Sequence, residues 1–351
     1  MDIDMDKINC DLLITVPENG DSGQATGETI PTALADLIIS ALEMEVAVTP
    51  KPGLVDQSNR GSHTDMDLAL FQISARALFP HFKNFAAIGC SAGTDLLLPL
   101  LREPGKEAEI TMLDATGGVN THKGLIFSLG LFAALAGRLS TVKGSFITGE
   151  DFPWLRWLIL DNTRGLTKEL AQGDSTQGPS ISNGILVFRK YGFGGIRGEA
   201  EAGFPAVFDT GYPALTKYLK VYTLNTALVL TLLELCLVTG DSNIMNRGGL
   251  TGLNFLRAEA DRILRAANGS RGAHFTAYLA HEGITNQVGK TSHDGKTSQG
   301  GTIEEERILT MVRELDQALI QRKLSPGGAA DNLAITIFLA LLSGLIPGGE
   351  P

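Results

Sequence analysis

The spacing of apolar residues restricts the fold of this chain more than any other feature of the sequence. After Thr32, apolar residues recur at intervals of three and four, at Leu34, Leu37, Ile38, Ala41 and Leu42. This spacing predicts an amphipathic helix, which ends before Pro50 because the residue preceding a proline avoids the helical region. Strand signals are scarce, since no short β-branched segments follow one another at hairpin spacing. The pattern therefore predicts an all-α fold.

Further helices are predicted on the same grounds. They cover about residues 67–78, 95–102, 107–114, 122–139, 218–239, 250–267, 302–321 and 331–345. No internal repeat divides them, so we expect one multi-helix catalytic domain over residues 32–347, with polar, glycine-rich active-site loops. Residues 1–31 are polar and lack periodicity, which predicts a flexible tail. The polar, low-complexity segment at 287–301 predicts a flexible insert.

Charge and cysteine content exclude some functions and locations. The chain carries 29 basic and 39 acidic residues, a net charge of −10, so binding to nucleic acid is not expected. Its three cysteines lack metal-ligand spacing, which fits a reducing compartment, and no secretory signal is seen. The most apolar stretch, 221–238, contains Asn225 and Glu234, which favours a buried core helix over a membrane span. We expect a cytoplasmic protein without a membrane segment.

Glycine clusters lie at 117–118, 192–203, 248–249 and 327–328. Glycine permits positive φ and a close approach of the backbone to a ligand, although helix ends and tight turns use it too. The segment GFGGIRG at 192–198 does not match a dinucleotide-binding motif, because Arg197 breaks the glycine spacing and no strand precedes it. P-loop, HExxH, nucleophile-elbow and kinase signatures are also missing. A nucleotide site in this chain must therefore be of another kind.

Four polar segments remain as candidates for a site. The first is the loop at 51–67, whose polar side chains are Lys51, Asp56, Asn59, His63, Asp65 and Asp67. A loop so rich in polar groups beside apolar helices favours a binding or catalytic role. The alternative is a solvated loop in which Asp65 or Asp67 caps the helix that follows.

The second segment, ATGGVNTHKG at 115–124, leads into a strongly apolar helix. Its polar residues are Asn120, Thr121, His122 and Lys123. Free N–H groups at a helix N-terminus, together with a lysine, favour a bound phosphate. The alternative is that Asn120 or Thr121 caps the helix while the histidine and lysine are exposed.

The third segment, GIRGEAEAGFP at 195–205, combines a cation with two carboxylates. Arg197 favours an anion, and Glu199 with Glu201 favours Mg²⁺ or a base with a stabilising partner. The alternative is that both glutamates are surface charges.

The fourth segment, GDSNIMNRGG at 240–249, directly follows the most apolar helix. It places Asp241, Asn243 and Arg247 where a buried helix ends, which favours function over a random loop. A later segment, LSPGGAAD at 324–331, carries less information, because Asp331 is expected to cap the N-terminus of the last helix.

Together these segments resemble the triphosphoribosyl-dephospho-CoA synthase family. The matching residues are TPKPGLVD at 49–56, then Gly61, His63, Asp65 and Met66, then EAEITMLDATGGVNTHKGLIFSLG at 107–130, and the segments GIRGEAEAGFP, DSNIMNRGG and LSPGGAAD. They occur in the family's order and cover roughly residues 33–345.

The resemblance implies that ATP releases adenine and that its triphosphorylated ribose joins, through C1, the 2′-hydroxyl of 3′-dephospho-CoA. The product is the prosthetic-group precursor of an acyl carrier protein, that of citrate lyase or malonate decarboxylase. The resemblance also implies Mg²⁺ with ATP, and a downstream holo-carrier-protein transferase as a partner. Because ATP is β-linked and the product α-linked, one displacement with inversion suffices, through an oxocarbenium-like transition state.

Such a reaction needs a base for the hydroxyl, cations for the triphosphate and ligands for Mg²⁺. We assign catalysis to Asp56, His63 and Asp65, with Asp56 the preferred base and His63 its rival, and metal binding to Glu199 and Glu201. The predicted substrate-binding residues are Lys51, Asn59, Asn120, His122, Lys123, Arg197, Asn243 and Arg247. We expect Lys123, His122, Asn120 and Arg197 to converge on one pocket. An ATP-dependent kinase and a non-catalytic nucleotide- or carrier-protein-binding module are the alternatives, and the oligomeric state is left open.

Overall fold

The computed structural model describes residues 26–93, 96–172, 183–268 and 303–347. Within these ranges the regular secondary structure is helical, and no strand is present. The α-helices are α1 (Thr26–Ala47), α2 (Leu68–Ser91), α3 (Leu97–Ala115), α4 (Lys123–Lys143), α5 (Phe152–Thr163), α6 (Leu166–Gln172), α7 (Asn183–Tyr191), α8 (Gly195–Glu201), α9 (Tyr212–Tyr218), α10 (Leu224–Val238), α11 (Ser242–Asn268), α12 (Ile303–Gln321) and α13 (Gly327–Leu342). A 3₁₀ turn (Gly149–Asp151) precedes α5, and a π-helical segment (Ala206–Gly211) precedes α9. The all-α prediction is confirmed. Residues 1–25 of the predicted tail and the predicted insert lie outside the described residues.

The core forms around α4, α10 and α13, which are apolar on nearly every face. All residues from Thr226 to Leu233 in α10 and from Asn332 to Leu342 in α13 are buried. A helix that is apolar all round is stable only in the interior. Helix α2 packs on α1, α3 and α4, while α13 packs on α1, α4 and α10. The beginnings of α4 and α13 are thereby held against each other.

Helices α2 and α4 approach each other closely at two glycines. A methyl group at Gly89 would overlap the backbone carbonyl of Ala134, and one at Gly137 would press on the carbonyl of Ala86. Only glycine leaves room for this backbone contact. The contact fixes α4 against α2, whose Ser74 touches the residue that precedes α4.

Two predicted helices form a single helix. The segments predicted at 95–102 and 107–114 are joined in α3, with Pro104 inside it. Pro104 lacks the N–H that would bond the carbonyl of Leu100. Leu100 is 46% exposed, so this turn of the helix lies at the protein surface. The prediction of two separate helices at 95–102 and 107–114 is wrong.

Other helix boundaries also differ from the prediction, for example the end of α2 at Ser91 and the start of α11 at Ser242. Helix α1 begins at Thr26, inside the predicted tail, and α10 begins at Leu224, after the separate short helix α9. Helix α13 begins at Gly327, so Asp331 lies inside it and the prediction that Asp331 is its N-cap is wrong. The cap comes from elsewhere, because the Asp241 carboxylate accepts the backbone N–H of Ala329. A distant side chain thus replaces the local cap that the sequence suggested.

Helix α4 is long and apolar enough by composition to span a membrane, and 78% of its most apolar window is buried inside the protein. Helices α10 and α11 pass the same test only as a pair, and they are bent by 69° relative to each other. A helix enclosed by its own protein has the same composition as a membrane span. Packing in the core therefore accounts for the apolar character of α4.

Candidate active site

His122 ends the loop before α4 and points into the protein. Its Nδ1 lies 2.8 Å from Ser74 Oγ, and its ring meets Phe71 edge-on. Burial, together with the nearby cation of Lys51, lowers the pKa of His122 to about 3. The imidazole is therefore neutral at neutral pH and only 2% exposed. Such a ring positions the start of α4, and the structure does not place it in the pocket that Lys123 lines.

The next residue, Lys123, lines a pocket of about 450 Å³ between α3, α4, α6 and α8. Arg197 of α8 lines the same pocket, as do two more cations from α3, Arg102 and Lys106. The structure therefore brings Lys123 and Arg197 together. The apolar part of the wall consists of Phe85, Leu98, Leu101, Ile126, Phe127, Leu131 and Leu166.

Three glutamates in the same pocket pair with its cations. The pairs are Lys123–Glu109 (2.8 Å), Arg102–Glu169 (2.6 Å) and Lys106–Glu103 (2.8 Å). All three are partly exposed, and exposed pairs contribute only about 0–1 kcal/mol each. A polyanion that enters the pocket can therefore take these cations from their partners with little loss.

Asn120 is occupied with the backbone at the start of α4. Its Oδ1 accepts the N–H of Lys123 at 3.2 Å, as a capping residue does. This contact is the alternative that the sequence left open for Asn120, and it holds Lys123 at the helix end.

Lys51 of the first loop is buried and forms an ion pair with Glu45 of α1, with 2.6 Å between Nζ and Oε1. Asp56 is 2% exposed and organises the same loop. Its Oδ2 accepts the N–H of Lys51, and its Oδ1 accepts the N–H groups of Ser58 and Asn59. The role of Asp56 as a base stays a prediction, and these three bonds favour a loop-organising role.

Asn59 anchors the first loop to α12. Its Nδ2 donates to Asp316 Oδ2 at 3.0 Å, and its Oδ1 accepts the N–H of Gly61. Asp316 also accepts the N–H of Gly53 at 2.8 Å. Burial raises the pKa of Asp316, while these hydrogen bonds act in the opposite direction. Asn59 therefore serves the architecture of the loop.

His63 lies where the first loop meets the loop before α13. Its Nε2 is 2.8 Å from Ser325 Oγ, and Arg247 Nη2 is 3.5 Å from its Nδ1. Burial and the Arg247 cation lower the pKa of His63, against a smaller opposite effect of Asp65. Arg247 also donates to the carbonyl of Ser62, which ties this group together. Of the predicted catalytic residues, His63 and Asp65 are thus neighbours, with Asp65 on the exposed side.

Asp241 caps two helices at once. Its Oδ1 accepts the N–H groups of Asn243 and Ile244 at the start of α11, and its Oδ2 accepts that of Ala329 in α13. Burial raises the pKa of Asp241, and the backbone bonds oppose that rise. The Asn243 side chain packs against Gly327, where a methyl group would overlap it. Both residues therefore join α11 to α13.

The charges of Glu45 and Asp241 act on Asp331 at the start of α4, and we call these three carboxyl groups the carboxylate cluster. Asp331 Oδ2 lies so close to the backbone of Gly124 that a methyl group at Gly124 would overlap it. Burial, then Glu45 and Asp241, raises the pKa of Asp331 well above that of an ordinary aspartate. The cluster combines carboxyls from three different parts of the chain.

The two glutamates predicted to bind Mg²⁺ have different surroundings. Glu201 accepts the N–H groups of Gly165 and Thr167 and the Thr167 hydroxyl, so it caps the start of α6. Glu199 accepts the N–H of Ala206 at 3.3 Å, and burial raises its pKa. Among the residues that the structure describes, no group of three or more histidine, cysteine or acidic side chains could hold a metal ion.

A comparison with protein families assigns the chain. The family model described as ATP:dephospho-CoA triphosphoribosyl transferase matches residues 31–348. The chain belongs to this family. The family and the transferase activity predicted from the sequence are confirmed.

Related proteins carry the same description. The chain is 38% identical over 314 residues to the 2-(5''-triphosphoribosyl)-3'-dephosphocoenzyme-A synthase of Klebsiella pneumoniae. The matched region covers 87% of this chain and 91% of the relative. It is 36% identical to the synthase of the same name from Escherichia fergusonii, over 88% and 90% of the two chains. A probable synthase of Vibrio cholerae is 35% identical over 93% of each chain. No solved structure matches this transferase.

Four residues of the candidate site were not predicted from the sequence. Glu45 lies seven positions after Ile38 and continues the buried stripe of α1, which is an unusual place for a carboxylate. Asp331 similarly lies at the start of a helix whose other faces are apolar. Arg102 and Lys106 are surface-like in sequence, and only the packing of α3 beside α4 shows that they share a pocket. The sequence signal that could have found Glu45 and Asp331 is a carboxylate at a helical position where the apolar spacing predicts burial.

Proposed function

We propose that this transferase carries out its reaction where the start of α4 faces the first loop and the start of α13. One observation carries the proposal: Lys123 lines the cationic pocket, while the adjacent Gly124 touches Asp331 of the carboxylate cluster. Transfer of a triphosphoribosyl group needs cations for the phosphates and ionisable groups at the ribose. These two kinds of group lie one residue apart along the chain.

In this proposal the triphosphate of ATP binds in the pocket of Lys123, Arg197, Arg102 and Lys106. Arginine and lysine bind phosphate through charge-assisted hydrogen bonds. The apolar part of the wall excludes water on one side, which strengthens those bonds. The pocket thus holds the phosphates, and the ribose extends from it toward the carboxylate cluster.

Mg²⁺ accompanies ATP in this proposal. Mg²⁺ usually keeps several waters and takes one or two carboxylates plus substrate phosphates. Glu201 does not fit this role, because both of its oxygens accept hydrogen bonds at the start of α6. Glu109 fits better, since it lies in the pocket beside Lys123. The ion would offset the negative charge of the triphosphate.

His63 takes the proton of the incoming 2′-hydroxyl of 3′-dephospho-CoA. The lowered pKa of His63 leaves its ring neutral and able to accept a proton at neutral pH. Ser325, 2.8 Å from Nε2, orients the ring. Asp56 is the less suitable base, since its carboxylate already accepts three backbone hydrogen bonds.

The test is incubation of the protein with ATP, Mg²⁺ and 3′-dephospho-CoA, followed by mass spectrometry. The proposal predicts free adenine and an adduct of the triphosphoribosyl group with 3′-dephospho-CoA in equal amounts. Release of ADP with a phosphorylated acceptor would instead indicate a kinase. Binding of both substrates without any product would indicate a non-catalytic module. Added EDTA should stop adenine release if Mg²⁺ is required.

The same proposal sets the place of the reaction in the cell. The product is the prosthetic-group precursor of an acyl carrier protein, so a transferase that acts on that carrier must consume it. ATP and 3′-dephospho-CoA are cytoplasmic metabolites, which favours a cytoplasmic location. Recovery of the protein with membranes after cell fractionation would contradict this part of the proposal.

A further inference from the structure

We infer that Asp331 donates a proton to the purine of ATP as the bond between ribose and adenine breaks. The inference rests on the proposed function and assigns a catalytic residue to it. Asp331 lies one turn into α13, and its Oδ2 packs against Gly124 at the start of α4. It thus lies one residue from Lys123 and the phosphate pocket.

The neighbouring charged groups are already committed. Glu45 pairs with Lys51 at 2.6 Å, and Asp241 accepts backbone N–H groups of α11 and α13. His122 is neutral and bonded to Ser74. Their roles in the architecture leave none of these groups available to a substrate.

Asp331 differs from them, because no residue that the structure describes donates a hydrogen bond to its carboxyl. Asp331 is only partly buried, so its carboxyl is not sealed off from a ligand. A carboxyl in surroundings that lack donors is costly in its charged form unless it carries a proton or meets a ligand. Asp331 is therefore the carboxyl of the cluster that has no structural task.

The surroundings favour the protonated form of Asp331. Burial disfavours its charge, and the negative charges of Glu45 and Asp241 disfavour it further, while the Lys51 cation is held by Glu45. The raised pKa lets Asp331 keep its proton to higher pH than an ordinary aspartate, and a protonated carboxyl can act as a general acid. Adenine needs such an acid, because a purine anion is a poor leaving group.

The bond between C1 of the ribose and N9 of adenine breaks, and its electron pair stays on the purine, which takes the Asp331 proton at a ring nitrogen. The hydroxyl oxygen of 3′-dephospho-CoA forms the new bond to C1, and its proton passes to His63. Asp331 then regains a proton from solvent, and His63 releases one. The overall change moves one proton from the acceptor hydroxyl to adenine.

The experiment compares ATP with N7-methyl-ATP, whose purine already carries a positive charge and leaves as a neutral base without a proton. Asp331→Asn should lower turnover of ATP by about 10²–10⁴-fold, with less than about a tenfold loss on N7-methyl-ATP measured above the enzyme-free background. Equal losses on both substrates would overturn the inference. In the pH profile of kcat/KM with ATP, Asp331→Asn should remove the decrease at high pH, and a retained decrease would also overturn it.

A second variant guards against a folding defect in Asp331→Asn. Gly124→Ala places a methyl group where Asp331 Oδ2 lies, so the carboxyl must move while its chemistry is kept. We expect Gly124→Ala to show the same selective loss with ATP, and an unselective loss would count against the inference. Gly198→Ala is the matched control, because nothing lies within 4 Å of an added methyl group there. Absence of adenine release from the unmodified protein would contradict the proposed function itself, whereas an active protein with an unselective Asp331→Asn contradicts only the role of Asp331.

Discussion

Replacement of Lys123 by alanine tests the assignment of the triphosphate to the cationic pocket. Lys123 Nζ lies 2.8 Å from Glu109, and the side chain is 43% exposed. Its removal leaves the apolar core untouched, so we expect the fold to remain intact. We expect ATP binding to weaken, because one of the cations that face the triphosphate is lost.

The magnitude follows from the surroundings of the side chain. A hydrogen bond to a charged group contributes about 1.5–3 kcal/mol. Because Lys123 is partly exposed, solvent screening favours the lower part of that range. A loss of about 1.5–2 kcal/mol corresponds to a roughly 10–30-fold higher Kd.

The assay is isothermal titration of ATP with Mg²⁺ at fixed ionic strength. Lys143→Ala is the matched control, because Lys143 lies in the last turn of the same helix, is 38% exposed and pairs with Asp151 at 2.7 Å. Both variants lose one positive charge and one partly exposed ion pair. Equal ATP affinity of the two variants would refute the placement of the triphosphate beside Lys123.

Three further predictions concern the proposed base His63, the role of Glu201, and the dependence of stability on pH. His63→Gln should lower turnover by about 10²–10⁴-fold. Arg247→Met should move the acid side of the kcat/KM profile to higher pH, because the Arg247 cation lowers the pKa of His63. An unmoved profile would contradict the role of His63 as the base. Glu201→Gln should lower the melting temperature and leave the Mg²⁺ dependence of activity unchanged, because its carboxylate caps α6; the reverse result would support a metal role. His122 has a pKa of about 3 in the folded protein against an ordinary 6.5, so the unfolded chain binds the proton first as pH falls. The free energy of unfolding should therefore decrease below pH 6.5, by at most about 1.4 kcal/mol per pH unit from this residue, and His122→Gln should flatten that decrease in denaturant titrations.

The fold class could be predicted because apolar spacing records directly which face of a helix is buried. The stripe of Leu34, Ile38 and Leu42 is fully buried in α1, as its spacing requires. Helix ends were predicted less well, because they depend on partners far along the chain. Asp241 caps α13 from outside it, and no local pattern around Gly327 records that contact.

The candidate site was predicted in part. Lys123 and Arg197 lie in one pocket, since a cation next to a glycine-rich helix start is a local signal of phosphate binding. Arg102 and Lys106 reach the same pocket only through the packing of α3 beside α4, which the sequence does not record. The part of the candidate site that could not be predicted is therefore the part formed by packing between elements that are distant in the sequence.

The carboxylates show why a dense polar loop is an ambiguous signal. A loop has backbone N–H groups without helical partners, and carboxylates are the side chains that satisfy them. Asp56 accepts three such groups, and Asp316 accepts that of Gly53, so these carboxylates are occupied by the loop itself. Inside a helix the backbone satisfies its own N–H groups, and a carboxylate there keeps its oxygens for a cation or a substrate. Asp331, which faces the start of α4, is of this second kind, so an acidic residue on a buried helical stripe is the better sequence signal of a group available to a substrate.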